Sequence, residues 1–258
     1  MKNKMRRRLA GLSLGLLLLL SSCIRQDGGR ESYLYPTVTY SYRTTVNEAT
    51  LTTGLDATYL YLANKQHPVS ESYDPGTLVT LQSPYTRKTN ITLEERTAQA
   101  LYAMMDEMRS DGITDVWVTS AYRSFSYQNY LYEMYISREM ERNSALTREE
   151  AMKIVETYSA PPGYSEHQTG FVVDFITSTM SDLDETFENT AAFGWLSANC
   201  YRFGFILRYP KSADKVAVTG YSYEPWHYRF VGREAATEIM KRGITLEEFL
   251  AMDFEQRK

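Results

Sequence analysis

Cysteine is almost missing from this 258-residue chain, which has only Cys23 and Cys200. No disulfide framework can be built from them, and Cys200, set in an apolar stretch, reads as a small buried hydrophobe. Positive charge is not in surplus either. There are 28 Lys and Arg against 32 Asp and Glu, with no basic stripe after the first few residues. That balance argues against nucleic acid, whose binders cluster cations to replace counterions. Histidine is scarce, with three residues: His67, His167 and His227. No internal repeat or low-complexity tract stands out. An apolar content of 43% is enough to fill the core of one domain.

The first two dozen residues address the compartment. Lys2, Lys4, Arg6, Arg7 and Arg8 form a positive stretch without an acid, and Leu9 to Leu20 is an apolar run. The run is too short to span a bilayer as a permanent helix but has the length of a secretory signal's apolar region. It ends Leu20-Ser21-Ser22-Cys23, which resembles the lipobox of bacterial lipoproteins, where the Cys becomes the lipidated first residue. The expected division is a lipoprotein signal over 1–22, a lipidated Cys23 and flexible tether over 23–55, and one domain over 56–258. Without the signal, 23 basic residues face 32 acidic ones, a balance near −9. As a coil, the tether would reach roughly 30 Å.

Beyond it, recognisable elements alternate. Thr92-Leu-Glu-Glu95 has the form of a capping box, with Ala98, Leu101, Met105 and Met108 at helical spacing and Gly112 as the stop. Val116, Val118 and Ser120 alternate as a strand. Helices are predicted over 126–142 and from the box Thr147-Arg-Glu-Glu150 to before Pro161. Gly170 to Ile176 reads as a buried strand, 185–200 as a helix, and 203–209 and 216–230 as strands. Two short helices close the chain, the last from the box Thr245-Leu-Glu-Glu248. Helices early and strands later, without a regular alternation, predict an α+β fold with an antiparallel sheet.

Three segments carry chemistry. In Ser165-Glu-His-Gln-Thr-Gly-Phe-Val-Val-Asp174-Phe175, Asp174 sits inside a core strand. An ionised carboxylate there costs several kcal/mol unless a buried Arg or a metal compensates. His167 precedes it across a Gly that permits a sharp turn, so both side chains can converge on one ion. In Glu224-Pro-Trp-His227, His227 would complete a set of two His and one Asp with a fourth position left for water, and Glu224 would serve as general base. Trp226 reads as packing. In Ser120-Ala-Tyr-Arg123-Ser-Phe-Ser-Tyr-Gln128, Arg123 is either a surface ion-pair partner or a planar fork for a ligand's terminal carboxylate, with Gln128 able to add an amide hydrogen bond.

The segments Tyr122-Arg123-Ser124…Gln128, Ser165-Glu166-His167…Asp174 and Glu224-Pro225-Trp226-His227, in this order, resemble the VanY-type D-alanyl-D-alanine carboxypeptidases, zinc peptidases related to the VanX dipeptidases and the hedgehog signalling domain. Leu62 to Pro68, Tyr73 to Pro75 and Tyr201 to Pro210 extend the resemblance over roughly residues 58–233. Val172-Val173 stands where relatives often carry a smaller residue before the Asp. The resemblance implies Zn²⁺ on His167, Asp174 and His227, with Glu224 as catalytic base. Arg123 would hold the substrate's terminal carboxylate, assisted by Gln128 and Ser165. His67 would belong to the framework. It further implies a single hedgehog-like peptidase domain, a monomer, acting on peptidoglycan stem peptides. The expected activity is release of the terminal D-alanine by an enzyme outside the cytoplasm, lipid-anchored to the membrane. The alternatives are an L,D-carboxypeptidase acting on tetrapeptide stems, a non-catalytic lipoprotein that binds wall peptides, and an endopeptidase, against which Arg123 weighs.

Overall fold

The structure is a computed structural model that describes residues 39–252. The signal sequence, Cys23 and the first part of the tether lie outside the described residues. In chain order the elements are α1 (Glu48–Leu51), β1 (Leu78–Thr80), β2 (Thr92–Glu94), α2 (Glu95–Ser110), β3 (Trp117–Ser120), α3 (Phe125–Arg142), α4 (Arg148–Val155), β4 (Val172–Ile176), α5 (Ala191–Asn199), β5 (Phe205–Leu207), α6 (Ala213–Thr219), β6 (His227–Phe230), α7 (Arg233–Arg242) and α8 (Leu246–Ala251). Short 3₁₀ turns cover Glu166–Thr169, Glu185–Asn189 and Cys200–Phe203.

Four strands form a sheet in the order β3-β4-β6-β5, every neighbouring pair antiparallel, and β1 and β2 form a separate antiparallel pair. Side chains alternate across a strand, and here the alternation separates two chemistries. Phe171, Val173 and Phe175 at β4, with Tyr228 and Phe230 of β6, join the main core against Ala98, Leu101, Met104, Met105 and Met108 of α2. The residues between them, Asp174 on β4 and His227 and Arg229 on β6, take the opposite face. This second face is buried as well as polar, with Asp174, His227 and Arg229 at most 4% exposed. Tyr132, Ile136, Ala151 and Val155 give the α3–α4 pair a small core of its own. A further cluster seats α7 and α8 through Ala235, Ala236, Ile239, Leu246 and Phe249.

The α+β reading with an antiparallel sheet holds, and so do the capping boxes at Thr147–Glu150 and Thr245–Glu248. Cys200 is fully buried, and burial pushes its thiol up to about 12, as suits a packing residue. Three local expectations change. Thr92 to Glu94 is strand β2, and the cap of α2 is Glu94, whose carboxylate accepts from the backbone N–H groups of Arg96 and Thr97. Second, residues 213–219 form helix α6 and Gly220 terminates it in the left-handed conformation, so the strand expected over 216–230 shortens to His227–Phe230. Third, the segment from Tyr40 to Leu51, assigned to the flexible tether, packs on the domain. Buried Glu107 accepts from the backbone N–H groups of Arg43 and Thr44 and from the Thr44 hydroxyl. Tyr40 pairs with Thr237, and Leu51 is fully buried in the main core. Folded structure therefore begins ahead of residue 56.

The anchoring of this segment can be measured. Leu51→Ala is expected to lower the unfolding free energy by about 2–5 kcal/mol in denaturant titrations, as a core truncation does. A change below about 0.5 kcal/mol, the size typical of surface substitutions, would return the segment to the tether.

Candidate active site

The cross-strand register assembles the polar cluster. Asp174 lies directly opposite His227 in the β4–β6 pair, and Ser120 lies opposite Asp174 where the β3–β4 register shifts. His167 comes from the 3₁₀ turn ahead of β4. Gly170 ends that turn at φ +81°, and a Cβ there would meet Pro75 Cβ at 3.2 Å and Glu94 Cβ at 3.3 Å. Only glycine combines that backbone conformation with so close an approach, so Gly170 is what folds His167 back over the sheet. The end of β3 locks the result. The Ala121 carbonyl accepts from His167 Nδ1 at 2.6 Å, and the Arg123 backbone N–H donates to the His167 carbonyl at 3.1 Å.

With Nδ1 carrying the proton that Ala121 accepts, the lone pair of neutral His167 lies at Nε2, and that atom faces Asp174 Oδ2 at 3.2 Å. Across the site, His227 Nδ1 lies 3.2 Å from Asp174 Oδ1 and 3.3 Å from Glu224 Oε2. The two imidazole rings stand nearly perpendicular at 5.1 Å. One donor atom from each of His167, Asp174 and His227 lies within 4.8 Å of the others, all three residues buried. Asp174 Oδ1 is buried and has no hydrogen-bond partner among the described residues. A lone pair facing a carboxylate oxygen, beside an orphaned second oxygen, is an arrangement that a cation completes. Two nitrogens and one oxygen suit Zn²⁺ with an open fourth position, so the residues present fit the ion.

The protonation equilibria point the same way. Burial disfavours the His227 imidazolium, but Asp174, Glu166 and Glu224 outweigh it and push it up to about 9. Burial, with the Arg123 charge, takes His167 down to about 4 against the pull of Asp174. Burial opposes ionisation of Asp174, yet the two imidazoles prevail and hold its carboxyl well below the usual range. Burial raises Glu224 to about 7, with Asp174 and Glu166 reinforcing and His227 and Arg123 opposing. Its side chain keeps 21% exposure, so it borders the cluster where solvent can reach it.

The other expected site residues fall around this centre. Arg123 follows β3, its charge acts on both His167 and Glu224, and no carboxylate among the described residues pairs with it. Its buried Nε also lacks a partner. Buried Gln128, on the first turn of α3, donates through Nε2 to the Ala160 carbonyl at 2.7 Å, while its Oε1 is unpartnered. Its amide nitrogen is thus committed to holding the loop after α4, and the free group is an acceptor. Ser165 precedes the 3₁₀ turn and makes no capping hydrogen bond. His67 is exposed, with Nδ1 2.9 Å from Asn64 Oδ1, a framework turn. Trp226 packs against the main core.

The structure adds four residues that the sequence reading passed over. Glu166, beside His167, is buried between Arg208 and Arg229, and Arg208 also pairs with Glu247 of α8. Arg229 in an apolar strand and Arg208 directly after one signal a buried partner as clearly as Asp174 does. They were the available clue.

Because a proton on His227 occupies the position an ion would take, metal binding near pH 7 is expected to release about one proton or more. The folded value for His227 is raised, so its proton is held through neutrality and lost as pH rises through about 9. Zinc affinity is therefore expected to climb from pH 6 to pH 9, measured by calorimetry in buffers of differing ionisation enthalpy. A pH-independent affinity with no proton release would contradict this charge arrangement.

Known proteins resemble up to about three quarters of the chain. The family model described as "VanY: D-alanyl-D-alanine carboxypeptidase" matches residues 90–233, which contain His167, Asp174, His227, Glu224, Arg123, Gln128 and Ser165. The chain is 36% identical to a putative carboxypeptidase, YodJ, of Bacillus subtilis strain 168 and 37% identical to a D-alanyl-D-alanine carboxypeptidase of Enterococcus faecalis V583. Each alignment covers 74% of this chain, and the chain spans 66% and 65% of the length of those relatives. Among solved structures it is similar to VanYB in complex with D-alanine-D-alanine (35% identity, TM-score 0.62, 76% of this chain and 98% of the other). It is similar also to a mutant of the vancomycin resistance D,D-pentapeptidase VanY, from a VanB-type resistance cassette, in complex with Zn(II) (36%, 0.61, 75% and 99%). The LD-carboxypeptidase LdcB is a third such structure (33%, 0.62, 73% and 84%). The order and spacing of the motifs, the hedgehog-like peptidase fold and these matches agree: the chain belongs to the VanY family of D-alanyl-D-alanine carboxypeptidases.

Proposed function

We propose that this chain is a zinc carboxypeptidase that removes the terminal D-alanine from peptidoglycan stem peptides. The observation that carries the reading is the convergence of one donor atom each from His167, Asp174 and His227 within 4.8 Å, with Glu224 at the edge and Arg123 unpaired nearby. Zinc held by those three residues would supply Lewis acidity, making a water acidic and a peptide carbonyl electrophilic.

The chain's own groups do the rest. The Glu224 carboxylate, 3.3 Å from His227 Nδ1, is placed to take a proton from the attacking water and pass it to the leaving amine. Burial raises its carboxyl above the usual carboxylate range, which favours a group that both takes up and returns a proton. The Arg123 guanidinium, free of a protein carboxylate, suits the α-carboxylate one residue beyond the scissile bond and makes the reaction exo-acting. Gln128 Oε1 is an acceptor for a substrate N–H, and Ser165 offers a hydroxyl beside His167. His167 is kept in one tautomer by Ala121.

A second reading keeps the same chemistry but takes the tetrapeptide stem as substrate. The similarity to LdcB, at nearly the same identity and TM-score as to VanYB, favours weighing it. The two substrates differ in the residue before the cut. The location proposed is outside the cytoplasm, with secretion through residues 1–22 and lipid attachment at Cys23. Among the described residues no helix is long and apolar enough to cross a membrane.

Zinc-loaded protein is expected to release D-alanine from a pentapeptide ending in D-Ala-D-Ala and not from the tetrapeptide. The reverse pattern would replace the D,D assignment by the L,D one. Glu224→Ala should lower kcat by about 10²- to 10⁴-fold, the usual worth of a general base. Arg123→Ala should raise KM by about 10- to 100-fold, the worth of a charged hydrogen-bonding pair. Hydrolysis by Glu224→Ala at the wild-type rate would remove the residue from its role. Cys23→Ala should move the protein from the membrane fraction to the soluble fraction, and unchanged membrane retention would exclude lipid attachment at that residue.

A further inference from the structure

The two candidate metal-ligating histidines are not supported alike. His167 has its second ring nitrogen tied to the Ala121 carbonyl. His227 turns Nδ1 toward Asp174 and Glu224, and its Nε2 points away from the cluster, 3.6 Å from Glu166 Oε2. Both His227 Nε2 and Glu166 Oε2 are buried, and neither has any hydrogen-bond partner among the described residues. Two buried polar atoms without partners are each stripped of water with nothing in its place. Each is the complement of the other, one an N–H donor and one an anionic acceptor.

The other oxygen of Glu166 is firmly placed. Arg208 Nε donates to Oε1 at 2.8 Å and Arg229 Nη1 donates to the same oxygen at 3.0 Å, with all three side chains fully buried. Arg229 spans onward to the carbonyls of Tyr59 and Tyr61, and Arg208 makes a two-pronged pair with Glu247 on α8 at 2.6 and 2.8 Å. Asn64 Nδ2 closes the far end on Glu247. Glu166 therefore sits on a rigid platform of two guanidiniums with one oxygen held and one directed at His227. A carboxylate with no task at this position would leave the two arginines better served by both its oxygens.

We infer that Glu166 is a positioning residue for the metal centre: its free oxygen receives the Nε2–H of His227, fixing the tautomer that presents Nδ1 to the ion. The inference rests on the zinc site proposed above. It gives the Ser-Glu-His segment a division of labour. His167 faces the ion directly, and the residue before it reaches around to orient the second histidine from behind. It also ties the site to α8, about eighty residues away along the chain from Glu166, through the Arg208–Glu247 pair.

The test uses the whole folded protein and compares wild type with Glu166→Gln, which keeps the shape but loses the charge and puts an N–H₂ group where the acceptor was. Zinc affinity is read by competition with a chromophoric chelator, and ligand geometry by the d–d spectrum of the cobalt-loaded form. Glu166→Gln is expected to weaken zinc binding about 10- to 100-fold and to shift the cobalt spectrum. Arg123→Ala, which removes a cation whose charge acts on His167, should not weaken zinc binding. Glu247→Gln, at the far end of the platform, is expected to have a smaller effect on affinity in the same direction. Wild-type affinity and an unchanged cobalt spectrum in Glu166→Gln would overturn the inference. Should Glu166→Gln not fold, nitrogen-15 resonances of the wild-type zinc form decide: an Nε2–H of His227 that couples through a hydrogen bond to the Glu166 carboxyl carbon supports the role, and an Nε2–H without that coupling removes it. D-alanine release is measured in parallel. A wild type that binds zinc through these ligands without hydrolysing stem peptides sinks the peptidase reading and leaves this one standing, whereas a hydrolysing wild type with an indifferent Glu166→Gln sinks only this one. A wild type that binds no zinc removes both.

Discussion

Asp174 is a carboxylate in the middle of a central strand, 3% exposed, flanked by Val173 and Phe175 in the main core. Burying such a charge without compensation costs several kcal/mol, and the rest of the site can be understood as the response. His227 stands directly across the β4–β6 ladder, and His167 is folded back over the sheet by the Gly170 turn. The described protein groups meet the demand incompletely, because one carboxylate oxygen is left without a donor and one imidazole lone pair faces the other. Without an ion, a proton on His227 makes up part of the deficit. A divalent cation does so better, because it also satisfies the neutral nitrogen of His167.

The sheet keeps this polar cluster from disturbing the core by strict alternation. Phe171, Val173, Phe175, Tyr228 and Phe230 pack with α2 on one side, and Asp174, His227 and Arg229 face the other. A one-residue slip of β6 would exchange the two sets, placing histidine in the apolar core and tyrosine at the ion site. Register is therefore a functional quantity here. The layer behind the ligands, Glu166 with Arg208 and Arg229, is as buried as the aromatic core and far more constrained in geometry. Breaking such a network by removing one member is costly, since it strands the remaining charges.

Much of this was legible in the sequence because the informative residues contradict their surroundings. An Asp in an apolar strand, a Gly between it and a His, and a Glu and Pro ahead of a second His all carry information that local propensity does not explain. The helices announced by full capping boxes at Thr147 and Thr245 formed as expected. Where sequence reasoning failed, tertiary partners decided. Thr92 to Glu94 joined β1 as a strand, so the apparent box moved on to a Glu94 cap. Val216 and Val218 favoured a strand by propensity, yet the short helix α6 formed, ended by Gly220 in the left-handed conformation. The segment from Tyr40 to Leu51 looked like a polar tether because what holds it is distant: Glu107, Thr237 and the main core. Glu166 was hidden for the same reason, as its partners lie 42 and 63 residues away.

The account stands on one ion held by two imidazoles and one carboxylate with a position left for solvent. X-ray absorption at the zinc edge of the loaded protein tests this directly. The expected first shell is two nitrogens at about 2.0–2.1 Å and a carboxylate oxygen with an exchangeable solvent oxygen at about 2.0–2.2 Å, with the carboxylate oxygen lost in Asp174→Ala and the imidazole signal reduced to one ring in His227→Ala. A shell containing sulfur, a shell closed by four protein ligands, or a spectrum unchanged by either substitution would contradict it.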